Sequence, residues 1–264
     1  MDEAVALVGT LETTAADAPT ACAGWTAHEL VAHLAAGAAE MADLVEAAVV
    51  DGPERVTKSF ADREAPYVVL PDEELRGRLV SEAIRLAMAL EDLDHLGQGE
   101  AGRTVTFSGR RLTAPDLQMH GRCEAAIHRW DLAGDDEISR ELLGAPELTT
   151  HAVSVLNAML EGSRESVSVR VREAGLAPLE ASFGARGAAD VVLTVDEDGA
   201  RLRLDEPSRR PTASSDRATR LLALWGRRSS MGTVEWHDDD GRSEQLAAFL
   251  WGGRTPLERS ASRL

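Results

Sequence analysis

The chain of 264 residues carries 28 Lys and Arg against 45 Asp and Glu, a formal net charge of −17, with 44% hydrophobic and 28% charged residues. This is a globular composition, long enough for one large domain or two ordinary ones, and the acidic balance argues against nucleic acid or an anionic membrane as a partner, since both need a basic footprint. Two cysteines, Cys22 and Cys123, make no disulfide framework. No apolar run approaches the ~20 residues of a membrane span, and MDEAVALVGT has acids where a secretion signal has bases, so a cytoplasmic location is expected.

Residues 2–13 space Ala4, Val5, Val8 and Leu11 as a helix. The loop TTAADAPTACAGW follows, and Thr26-x-x-Glu29 opens a second helix with a capping box. Asp51-Gly52-Pro53 ends that helix, near Val49. Its core stripe reads Leu30, His33, Leu34, Gly37, Met41, Leu44. His33 inside the stripe is either an ordinary core histidine or a ligand. Gly37 costs about 1 kcal/mol against Ala in a helix, and it leaves room for another backbone or a ligand to come close.

Pro53, Pro66 and Pro71 rule out a continuous helix over 51–71, so a long, partly ordered connection is expected there, a lid or a surface excursion. A third helix spans 72–96 with Asp72 at its cap. Its apolar face is Leu75, Leu79, Ile84, Leu86, Met88, Leu90 and Leu93, its stop is Gly97 and Gly99, and His95 suits its C-terminal dipole. TVTFSGRRL reads as a short hairpin about Ser108-Gly109. Thr113 and Pro115 then open a fourth helix that runs to about Gly134. Helices of this kind with inward polar residues describe a bundle holding a site in its core.

The pattern changes after about residue 145. One more helix is expected over 147–160. Strands follow at Val167–Val171, Val191–Val195 and Ala200–Leu204, the last two joined by Asp196-Glu197-Asp198-Gly199. A helix over 215–226 capped by Ser214 or Ser215, a short strand Val234–Trp236 and a terminal helix over 242–251 complete the chain, with a frayed tail from Gly252. Helices first and strands later argue for two domains, 1–145 and 146–264.

The chemistry concentrates in LQMHGRCEAAIHRWD, residues 117–131. On a helix His120, Glu124 and His128 lie one above another, on the stripe that holds Leu117 and Ile127. A carboxylate and imidazoles on a core face are costly unless paired, and a divalent metal would pair with all of them. A catalytic zinc takes three such ligands and keeps a fourth position open. Glu124 and His128 form an i, i+4 pair, His33 is the best third ligand, and His120 is the reserve. The competing reading is a surface Glu–His pair worth a few tenths of a kcal/mol. Asp131 sits where it can orient the His128 ring through its second nitrogen, or pair with Arg129 or Arg122. Trp25 and Trp130 adjoin these segments as pocket walls or core. Cys123 reads as a buried structural cysteine, Cys22 as a turn residue.

These residues carry a resemblance. CAGWTAHELVAHL, residues 22–34, resembles the C-x-G-W-T-x-x-[DE]-L-V-x-H-L signature of the mycothiol-dependent maleylpyruvate isomerase family, a branch of the DinB-like metalloenzymes. EAAIHRWDL, residues 124–132, resembles its E-x-x-x-H-R-x-D signature. The resemblance implies a DinB-like four-helix bundle followed by a small α/β, sterol-carrier-like domain. It implies zinc or another divalent metal on His33, Glu124 and His128. An arginine of the second domain closes the site in that family, and LLALWGRRS makes Arg227 or Arg228 the match.

The family chemistry would be a metal-bound thiolate of mycothiol, the actinobacterial low-molecular-weight thiol, attacking a small electrophile: an isomerisation or a thiol transfer. Asp131 and the two arginines are the candidate catalytic groups beside the metal ligands. A metal- or ligand-binding protein without turnover and a metal-assisted hydrolase of thiol conjugates are the alternatives. The expected partners are the thiol and the electrophile, with the chain a monomer or homodimer.

Overall fold

The computed structural model describes residues 3–53, 55, 57–96, 103–162, 175, 178–196, 199–227, 234–237 and 241–251. The expected strand at 167–171, the stop at Gly97 and Gly99, the tail from Gly252 and Arg228 lie outside the described residues. The chain divides into two compact units, Met1–Asp135 and Asp136–Leu264. The boundary read from sequence lay ten residues later, since Glu137–Leu143 has no strong periodic signal of its own. In the structure it is a helix packed within the second unit.

The first unit is built on helices α1 (Glu3–Leu11), α2 (Ala27–Val49), α3 (Phe60–Val68), α4 (Asp72–Leu96) and α5 (Ala114–Ala133), with a hairpin of β1 (Val105–Phe107) and β2 (Arg110–Leu112). The capping box of α2 forms, Thr26 accepting from the Glu29 amide while Glu29 takes the Thr26 N–H. Thr113 and Asp116 do the same for α5. In the hairpin turn Ser108 and Gly109 both take positive φ, 49° and 75°, the pairing a tight two-residue turn requires.

α2 is richer in alanine than a one-sided stripe suggests and is buried on most of its circumference. Small side chains let α3, α4 and α5 all approach it. One apolar cluster joins α2, α4, the hairpin and α5 through Met41, Leu44, Leu90, Leu93, Phe107 and Leu117. A second joins α1, α2 and α4 through Leu7, Leu11, Val31, Leu75 and Leu79.

Two expectations fail here, each for a physical reason. α4 buries Leu75, Leu79, Glu82, Leu86, Ala89 and Leu93 in a 4-3-4-3-4 seam of the coiled-coil kind, with Leu90 buried beside it. Ile84 (57% exposed) and Met88 (64%) fall off that seam and face solvent. The stretch 51–71 is not a bare connection, because Phe60–Val68 forms a helix with Pro66 inside it. Proline removes the amide that would bond Asp62 O. Local and tertiary anchors replace it: Ser59 caps the Asp62 amide, and Arg63 is tied to Glu40 of α2 at 3.2 Å.

The second unit contains α6 (Glu137–Leu143), α7 (Pro146–Gly162), α8 (Arg217–Leu224) and α9 (Arg242–Trp251) around a mixed sheet. Its strands are β3 (Leu179–Ala185), β4 (Asp190–Asp196), β5 (Gly199–Asp205), β6 (Ala213–Ser215) and β7 (Glu235–Trp236), in the order β5-β4-β3-β6-β7. β3 pairs antiparallel with β4 and parallel with β6; the other pairs are antiparallel. β4 and β5 run from Asp190↔Asp205 to Asp196↔Gly199.

β3 carried no sequence signal, because LEASFGA is poor in branched residues. Its Gly184 is demanded by packing: a Cβ there would meet Pro211 Cγ at 3.0 Å and Asp190 Oδ1 at 3.2 Å. Asn157 of α7 exchanges two hydrogen bonds with Leu202, 2.7 and 2.8 Å, so its amide continues the ladder beside β5. The cap of α8 is Asp216, not Ser214 or Ser215; both serines lie in β6.

Candidate metal centre

The donor groups described here lie in the first unit. The loop before α2 is stitched to the end of α5 by Ala21 N–H donating to Asp131 O at 2.8 Å. The cap at Thr26 then starts α2 in a fixed phase, and His33 comes seven residues later, nearly two turns. α5, started by Thr113, presents Glu124 and His128 one turn apart. These two signatures, almost a hundred residues apart in the chain, are in contact in the fold.

His33, Glu124 and His128 bring one donor atom each within 4.8 Å of one another. Glu124 Oε2 lies 3.4 Å from His128 Nε2 and 3.8 Å from His33 Nε2. Ligands around a tetrahedral zinc stand roughly 3.4 Å apart for bonds of about 2.1 Å, so the donor set fits a divalent ion in chemistry and in spacing. Both histidines are buried, and Glu124 keeps 26% of its side chain exposed, so the carboxylate marks the side open to solvent.

Both rings are oriented through their second nitrogen. His128 Nδ1 lies 2.9 Å from Asp131 Oδ2, and Asp131 has no exposed side-chain surface. The Cys22 thiol donates to the same oxygen at 3.1 Å. His33 Nδ1 lies 2.7 Å from Glu64 Oε1 of α3. A carboxylate behind an imidazole fixes the tautomer with the proton on Nδ1 and leaves Nε2 free to coordinate. Trp25 leans on His33 at 5.1 Å between ring centroids, and Phe60 stacks on it at 5.8 Å with the Arg63 guanidinium 4.1 Å above.

The electrostatics of the metal-free site are strongly coupled. Burial pushes the Glu124 carboxyl up, but the adjacent His128 and His33 imidazoles outweigh it and hold the group well below the usual carboxylate range. Burial pulls the His128 imidazolium down, but Asp131, Cys22 and Glu124 outweigh it and hold the ring well above the usual histidine range. Glu124 therefore sits as an anion beside a protonated His128, the arrangement of a site whose cation position a proton fills by default.

Asp131 lies behind His128. His120 stands outside the three-donor group; its ring lies 5.5 Å from Phe107, and loss of hydration lowers its pKa, Glu124 offsetting only part. Of the two tryptophans, Trp25 walls the site and Trp130 is buried in α5. Cys123 is fully buried, and Cys22, read as a turn residue, is in the hydrogen-bond chain behind His128. Arg227 is half-buried in the second unit and donates to Trp225 O at 3.1 Å.

Glu64, Phe60 and Arg63 are the contributors that sequence reasoning missed. ADREAP is polar and ends in proline, so no periodicity marks it. The only signal was the glycine at position 37: a Cβ there would come within 4.0 Å of Arg63 Nη2. The room read at Gly37 is taken by that guanidinium.

Fold and site together define a helical bundle carrying a buried His–Glu–His donor set, followed by a mixed-sheet unit. Residues 1–133 match the family model described as the mycothiol maleylpyruvate isomerase N-terminal domain, and the chain belongs to that family. Two solved structures resemble it over nearly its whole length. One is a crystal structure of a mycothiol-dependent maleylpyruvate isomerase, at TM-score 0.55 and 17% identity over 89% of this chain and 92% of that one. The other is a histidine-to-alanine variant of a mycothiol-dependent maleylpyruvate isomerase, at TM-score 0.56 and 16% identity over 88% and 87%. At such identities they establish a shared fold. No curated protein matches the sequence.

Proposed function

We propose that the chain is a metal-dependent enzyme using mycothiol as cosubstrate, an isomerase or thiol S-transferase for a small, maleylpyruvate-like electrophile. The observation that carries this reading is the convergence of His33 Nε2, His128 Nε2 and Glu124 Oε2, with both imidazoles buried and the carboxylate partly exposed. His33, Glu124 and His128 would hold zinc or another divalent ion. When bound, such an ion lowers the pKa of a coordinated thiol and fixes the thiolate as a nucleophile at neutral pH.

The residues of the chain supply the rest. Asp131 keeps the His128 proton on Nδ1, so Nε2 stays available. Trp25 and Phe60 give the His33 side of the pocket an apolar wall, which limits water at the nucleophile. The thiolate sulfur adds to an alkene carbon conjugated with a carbonyl, and the π pair moves to the carbonyl oxygen. Rotation about the new single bond, return of the electrons and loss of the thiolate complete a cis–trans isomerisation with the thiol regenerated. Where a leaving group is present it departs instead, and the thiol is transferred.

By the resemblance, Arg227 or Arg228 would neutralise a substrate carboxylate, which a guanidinium can engage in bidentate fashion. The test is turnover of maleylpyruvate by zinc-loaded protein with and without mycothiol. Turnover only with the thiol is expected; equal rates in its absence would exclude thiolate chemistry and leave water as the nucleophile.

A further inference from the structure

The carboxylate behind His128 comes from the same helix, three residues on, and its position is set by helix geometry. The one behind His33 does not. Glu64 comes from α3, a nine-residue helix outside both signature segments. It reaches His33 Nδ1 at 2.7 Å, the shorter of the two carboxylate–imidazole contacts.

The approach of Glu64 is built in several independent ways. Arg63, adjacent on α3, bonds Glu40 Oε2 at 3.2 Å and lies 3.7 Å from Glu64 Oε1. Glu40 also accepts from the Lys58 amide at 2.6 Å, which fixes the chain just before the α3 cap. Phe60 stacks on the same imidazole that Glu64 bonds. α3 thus touches His33 with one apolar and one anionic side chain, and it is fastened to α2 a turn or two further along.

We propose that Glu64 is a positioning residue of the metal centre. It locks the His33 ring with Nε2 toward Glu124 and makes the docking of α3 part of the metal site. This rests on the metal reading given above. Outer carboxylates of this kind change metal affinity by 10- to 100-fold.

The experiment compares wild type with Glu64→Ala, Glu64→Gln and His33→Ala. Each is titrated with zinc against a chromophoric chelator, and the visible spectrum of each is recorded after cobalt(II) loading. Wild type is expected to bind one ion and His33→Ala none. Glu64→Ala should bind 10- to 100-fold more weakly with an altered cobalt spectrum. Glu64→Gln, whose amide oxygen still accepts from Nδ1–H, should recover most of the affinity and the wild-type band positions.

Wild-type affinity and spectrum in Glu64→Ala would overturn the role of Glu64 and leave the metal reading standing. A loss in Glu64→Ala that Glu64→Gln does not restore would overturn it too, since the effect would then follow from packing. Failure of wild type itself to bind zinc or cobalt would overturn the metal reading and this inference with it.

Discussion

At the scale of single residues, the centre is organised by which nitrogen of each histidine is occupied. Asp131 and Glu64 take the Nδ1 positions, and what remains is a pair of Nε2 atoms flanking one carboxylate oxygen. Replacing Asp131 by Ala removes the acceptor behind His128 Nδ1, so neither the tautomer nor the ring orientation is held. Zinc affinity is expected to fall about 10- to 100-fold, read by chelator competition.

The raised pKa of His128 has a sign that can be checked. In the metal-free protein the ring is protonated at neutral pH, so an incoming ion must displace that proton. Affinity should rise with pH, and binding of the ion should release protons. Calorimetry in buffers of different ionisation enthalpy counts them directly; heats independent of buffer would contradict the assignment. In the metal-free protein, the stabilisation from His128 is present below an unfolded-state pKa of about 6.5 and is lost as pH rises through the elevated folded value. That from Glu124 is present above about 4.3 and is lost as pH falls through the depressed one.

At the scale of elements, α3 is the piece whose existence depends on its surroundings. Its sequence contains a proline and little apolar periodicity, yet it folds against α2 because Arg63 and Glu40 form an ion pair with both side chains 7% exposed. Buried pairs of this kind add little over an apolar replacement, but removing one partner leaves a charge without compensation and costs about 3–5 kcal/mol. Arg63→Ala is expected to lose that much in urea denaturation of the metal-free protein. A loss under about 1 kcal/mol would place the pair among those that solvent screens. The longer helices need no such support: α2 and α5 each carry a capping box and a buried face of their own.

At the scale of the whole molecule, all three proposed ligands and both orienting carboxylates lie within Met1–Asp135. Substitution of Arg227 or Arg228 should therefore leave zinc content unchanged while raising the KM for a carboxylate-bearing substrate. Elemental analysis and steady-state kinetics on the same preparations separate the two effects. A loss of metal in either variant would show that the second unit takes part in holding the ion. Among the described residues no helix is long and apolar enough to cross a membrane.

How much of this was legible beforehand depended on the range of the interactions. The long helices, the capping boxes of α2 and α5, the β1–β2 hairpin and the β4–β5 hairpin are written in local periodicity and turn chemistry, which act within a few residues of the chain; the expected cap Asp72 is instead the first residue of α4. Glu124, His128 and Asp131 were legible for the same reason: one helix sets their spacing. His33 could be nominated from its place in a core stripe and from the family signature, but its meeting with α5 is a product of helix packing. β3, α3 and Glu64 had no local mark, because their stability comes from partners distant in sequence. So the sequence alone determined the helical bundle, its followers and the half of the centre that one helix carries. The tertiary structure decided where the other half meets it and what stands behind His33, since only packing between elements brings distant polar groups out of water to a common point.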